Sequence, residues 1–164
     1  MNAARPGRLA VVVVVVALTL MWIYALSGAA RRDPKDRLDD RVFTARAEDI
    51  CAATIDRLKD LPAVSHESPA AELAATVDDI TVLFSAMVAD LRAAAPSQGQ
   101  DGRIAGAWLD DWDTHVGDLR EWADELHSTG QYLPFGETPR GGEPLTEAMD
   151  TLARVNDMPS CETP

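Results

Sequence analysis

An uncharged apolar run from Leu9 to Ala30, with six consecutive valines from Val11 to Val16, constrains this chain more than any other feature. At about 1.5 Å of rise per residue, the run makes a helix of roughly 33 Å, enough to cross a hydrocarbon core of about 30 Å. It predicts a transmembrane helix over 9–30, a short cytoplasmic N-terminus over 1–8, and residues 31–164 beyond the span. A cleaved secretory signal is the competing reading, because Arg5 and Arg8 form a basic leader and Ser27, Gly28 and Ala29 are small residues of the kind that precede a cleavage site. Two features favour a retained signal anchor. The run is longer than the apolar segment of an ordinary signal peptide, and Trp22 and Tyr24 stand near its far end, where amphipathic rings settle at the headgroup level.

Orientation is read differently by two signals. Arg5 and Arg8 precede the run, whereas Arg31, Arg32, Lys35 and Arg37 follow it, and counting Lys and Arg alone would leave the larger segment in the cytoplasm. Asp33, Asp36, Asp39 and Asp40 interleave with these bases but carry little weight in that rule. The cysteines arbitrate. Cys51 and Cys161 are the only two, one early and one near the end, which suits a single bridge. Closing a loop of that length is worth on the order of 4 kcal/mol in the chain-entropy view, and such a bond persists only in an oxidising compartment. The alternative is a buried free thiol at Cys51 and a dispensable one at Cys161. With the bridge, the segment 31–164 is extracytoplasmic.

Beyond the run the chain is rich in Ala, Leu, Asp and Glu and poor in consecutive β-branched and aromatic residues, so an all-α fold is expected. Asp33-Pro34 reads as a cap followed by a first-turn proline, opening a helix that stops near Pro62 and carries Phe43, Ala47, Ile50, Thr54, Leu58 and Leu61 on one stripe. Ser68-Pro69 opens a second helix with Leu73, Val77, Ile80, Phe84, Met87 and Leu91 at heptad spacing, ending before Pro96. A polar turn over 97–102 leads to a third, whose seam is Trp108, Trp112, His115, Leu119, Trp122 and Leu126, closed by Gly130. Pro144 opens a short fourth with Leu145, Met149 and Leu152 inward and Asn156 as its left-handed terminator. The expectation is an N-terminal transmembrane helix followed by an antiparallel three- to four-helix bundle. Tyr132, Leu133 and Phe135 in the loop 130–143 should fold that loop back onto the bundle.

The C-terminal pattern, Gly141-Gly142-Glu143, a short helix, then Asn156-Asp157-Met158-Pro159-Ser160-Cys161, resembles an uncharacterised family of actinobacterial single-pass membrane proteins. The resemblance covers mainly Trp108 to Pro164. It implies the same architecture and brings no activity with it.

The net charge of −12 at pH 7 repels a phosphate backbone and argues against nucleic acid as a partner. Asp110, Asp111, Asp113, Asp118, Glu121, Asp124 and Glu125 crowd the third helix, a face that either keeps a small domain solvated or meets cations or a basic protein surface. Asp111, His115 and Asp118 lie three and four residues apart, the one constellation that suggests a divalent metal, although no ligands from a facing helix join them in the pattern. A half-buried seam histidine is the plainer account. Ser65-His66-Glu67 has the letters of a hydrolase triad, but adjacent residues cannot form the relay. No nucleotide, dinucleotide, Cys-x-x-Cys or His-Glu-x-x-His motif occurs, so neither an enzyme nor a resident cofactor is expected. Trp108, Trp112, Trp122, Tyr132 and Phe135 form either a recognition patch or core, and the seam spacing favours core. Gly117, mid-helix, marks a close helix contact or room for a ligand. The function these readings point to is an interaction module held in the lipid bilayer and facing a cell-envelope protein, with a membrane-tethered ligand or metal sensor as the alternative.

Overall fold

The computed structural model describes residues 6–26 and 35–164, which separate into a unit ending at Lys35 and a second from Asp36 to Pro164. The first contains one helix, α1 (Pro6–Leu26). Its side chains are described at Val11 and over 13–23, and all of these are exposed. Thr19 hides its hydroxyl by donating to the Val15 carbonyl at 2.8 Å. Among the described residues no helix is long and apolar enough to cross a membrane. Residues 27–30, the end of the predicted span, lie outside the described residues, as does the predicted Asp33-Pro34 start.

The second unit is helical, with α2 (Arg41–Leu58), α3 (Ala70–Ala94), α4 (Gly99–Thr129), α5 (Leu145–Val155) and a 3-10 turn at Pro159–Cys161. The predicted all-α bundle is present. Each element lies against the next, and the terminal turn returns to α2, closing a ring around the core. Cross-helix pairs fix the direction of α3 and α4. Arg92, late in α3, meets Asp110 and Asp113 in the first half of α4, while Asp78, early in α3, meets His127 near the end of α4, so the two helices run antiparallel. The predicted stripes of both face inward, with Phe84, Leu91, Trp108, Trp112 and Leu126 buried. Ile80 and Trp122 are half-buried.

α2 begins at Arg41, later than an Asp33-Pro34 start would allow. Its cap is Asp40, whose carboxylate accepts from Val42 N at 3.0 Å and Phe43 N at 2.9 Å. The chain ahead of it is held out of the helix, because Leu38 is fully buried and its N–H donates to the Asn156 side chain at 2.7 Å. One Asp101 oxygen, in the first turn of α4, accepts from both Asp39 N and Asp40 N. Nor does Ser68 cap α3, since its hydroxyl accepts from Ser65 N.

Asn156 does not terminate α5 in a left-handed conformation. The positive φ falls on Asp157, at 60°, and Met158 N then donates to the Ala153 carbonyl, a Schellman closure with aspartate in the place glycine usually takes. Asn156 is needed elsewhere. Fully buried, it accepts from Leu38 N and donates to the carbonyls of Asp36 and Leu152, both at 2.9 Å. Asn156→Ala would strand these buried groups. It should cost about 2 to 3 kcal/mol in denaturant unfolding, well beyond an ordinary surface substitution.

Two α4 glycines should respond with opposite signs. A Cβ at Gly117 would meet nothing within 4 Å, which removes the close-contact explanation of that residue. Gly117→Ala should therefore stabilise by roughly 0.5–1 kcal/mol. A Cβ at Gly102 would sit 2.9 Å from the Ser97 carbonyl carbon and 3.0 Å from Pro96 O, so Gly102→Ala should lower the melting temperature.

Candidate functional site: the aromatic face of α4 and its strap

Residues 108, 112, 115 and 122 share one stripe of α4 because they recur every three or four positions. Trp108 and Trp112 are 1% exposed, with Trp112 packed edge-on to Phe84 at 5.3 Å between ring centroids. They are core and form no surface patch. Both indole N–H groups are buried without an acceptor among the described residues.

The loop predicted to fold back does so, as a strap over residues 131–143. Trp122 donates its indole N–H to the Leu133 carbonyl at 2.7 Å. Phe135, half-buried, wedges between Trp122 at 5.4 Å and His115 at 5.9 Å. Asp118 accepts from Thr138 N and Oγ1 at 2.7 and 2.8 Å, and Asp111 pairs with Arg140. Glu137 accepts from Thr146 N at 2.9 Å and from its hydroxyl at 3.2 Å, supplying at the start of α5 the acceptor that Pro144 lacks. The strap turns through Gly141 and Gly142, whose φ angles of 64° and 94° exclude most other residues, and a bridge between Arg140 and Glu143 closes it. Tyr132 stands apart, half-exposed beside the His66 ring at 6.4 Å.

The structure does not assemble Asp111, His115 and Asp118 as a metal site. Each carboxylate is engaged by the strap, and among the described residues no group of three or more His, Cys, Asp or Glu side chains is placed to hold an ion. His115 is 6% exposed, and its Nδ1 has no hydrogen-bond partner among the described residues. Burial pushes its pKa below the usual imidazole value, against the opposing pull of Glu137, Asp118 and Asp150. In the 62–68 turn, Ser65 accepts from Glu67 N through its hydroxyl, which serves the turn and builds no relay.

Cys51 and Cys161 are bonded, with Cα atoms 5.1 Å apart, and both are buried. Glu48 steadies the same junction by accepting from Ser160 N and Oγ. One feature is not evident from the sequence, an open groove of about 360 Å³ between α2 and α3, lined by the stripe residues Ile50 and Met87 and edged by Ala53, Arg46, Arg57 and Asp90. Arg46 and Arg57 fall on the exposed face of α2, where sequence periodicity shows polarity and nothing more.

No family model, no curated protein and no solved structure matches this chain.

Proposed function

We propose that the chain is a single-pass membrane protein whose helical unit stands outside the cytoplasm and acts as an interaction module for a cell-envelope protein with a basic face. The observation that carries the location is the Cys51–Cys161 bond, because a bond of this kind is maintained in oxidising compartments and rarely in the cytosol. Anchoring is supported by the full apolar run Leu9–Ala30 and by the exposed valines of α1, whose described side chains are apolar apart from Thr19.

The partner's chemistry follows from charge. Residues 36–164 hold 26 Asp and Glu against 10 Lys and Arg. Asp110, Asp113 and Asp111 are matched by Arg92 and Arg140, whereas Glu121, Asp124 and Glu125 are exposed on α4 and make no ion pair among the described residues. A basic partner surface would be steered to such a face and released by salt.

Two experiments test the reading. Val82 is 66% exposed, so Val82→Cys offers a thiol that an impermeant maleimide should label in intact cells; labelling only after permeabilisation overturns the location. A photo-crosslinker at Asp124 should capture a defined envelope protein in intact cells, and reversal of Glu121, Asp124 and Glu125 to lysine should abolish the product. A product unaffected by charge reversal, or none at all, overturns the partner.

A further inference from the structure

We infer that residues 131–143 are a proton-operated strap, which opens when His115 takes up a proton and exposes the His115–Trp122 end of the α4 stripe to water. The inference begins with the Nδ1 of His115, buried with nothing to bond. A neutral ring tolerates that position with Nδ1 bare and the proton on Nε2. An imidazolium carries an N–H on both nitrogens, so the closed arrangement would bury a charged donor without an acceptor.

Relief must come from a neighbour that can move. Phe84 lies on α3, with ring centroids 6.4 Å from His115, and Trp112 on α4 at 5.8 Å; both are in the packed core. Phe135 is the third neighbour and the only one on a non-helical segment. The charges acting on His115 come from every other element around it, Glu137 on the strap, Asp118 on α4 and Asp150 on α5, while α3 presents Phe84. Glu137 and Asp118 already spend hydrogen bonds on Thr146 and Thr138. Swinging the strap outward lets water solvate both imidazole nitrogens without disturbing a helix.

The direction of the pH response is set by burial. The closed state binds a proton more weakly than a solvated histidine, whose pKa is about 6.5. As pH falls through that value the open state gains the proton first, so acid favours opening and neutral pH favours closure.

Trp122 gives a readout confined to the strap, because its indole N–H bonds Leu133, whereas those of Trp108 and Trp112 are buried in the core. The measurement is indole hydrogen exchange by NMR on the full chain with 15N-labelled tryptophan and histidine in detergent micelles. Between about pH 7.5 and about pH 5, exchange at Trp122 corrected for its intrinsic rate should rise at least about tenfold, while Trp108 and Trp112 stay protected. The midpoint should coincide with the titration of His115 in the same wild-type spectra, and His115→Gln should remove the response. The inference is overturned if Trp122 stays protected while His115 titrates, if all three indoles lose protection together, or if a folded His115→Gln chain still opens with acid.

Discussion

Trp112→Ala should destabilise the bundle by about 3 to 5 kcal/mol, the range for deleting a large ring from a core that cannot collapse around the gap. Trp112 is 1% exposed and packs against Phe84 at 5.3 Å, His115 at 5.8 Å and Trp108 at 6.4 Å, so these three side chains from two helices would border the void. For a unit of this size the loss corresponds to a fall of about 10–20 °C in melting temperature. Trp112→Phe should cost clearly less, since it keeps a ring against Phe84 and removes a buried indole N–H that has no acceptor. Tyr132→Ala, at a half-exposed site, should stay within about 0.5 kcal/mol of wild type. Guanidinium unfolding of the three variants separates these magnitudes, and a Trp112→Ala chain that unfolds with the wild type would remove the ring from the core.

Replacing both cysteines by serine should cost about 4 to 5 kcal/mol. The bond spans a sequence separation of 110, and loop closure on that scale removes a corresponding entropy from the unfolded chain. The native state should lose order locally as well, because Cys161 is the buried residue of the terminal turn, seated on α2 beside the Glu48 contacts to Ser160. Wild type under reducing conditions should reproduce the double variant's melting temperature. Equal melting of wild type with and without reductant would show that the bond contributes nothing.

Apolar periodicity made the bundle legible. The stripes from Leu73 to Leu91 and from Trp108 to Leu126 face inward as their spacing predicts, and Gly130 ends α4 with a φ of 64°. The Cys51–Cys161 bond was legible from count and position. The loop anchored by Leu133 and Phe135 was legible because apolar residues among glycines and prolines must be buried against something. The failures share a cause, which is that capping and polar stapling are decided by tertiary partners. Asp33-Pro34 and Asp40 look alike as caps, and what distinguishes Asp40 is a non-helical lead-in held by Asn156 and Asp101, more than sixty residues away in sequence. Asn156 has the right chemistry for a left-handed terminator, yet its amide is spent on three backbone groups and Asp157 takes the strained turn. Asp111, His115 and Asp118 do share a helical face, but spacing alone could not show that Arg140 and Thr138 would occupy the carboxylates.

The position of the covalent link gives the molecule an unusual tolerance to cutting. Every connection between α2 and α5, at residues 59–69, 95–98 and 130–144, lies between the two bonded cysteines. A protease that severs any one of them produces a nicked chain whose pieces migrate together until a reductant is added. Its helices keep their covalent tie to one another, so loss of a peptide bond in the strap does not by itself shed part of the bundle from the segment that precedes α2.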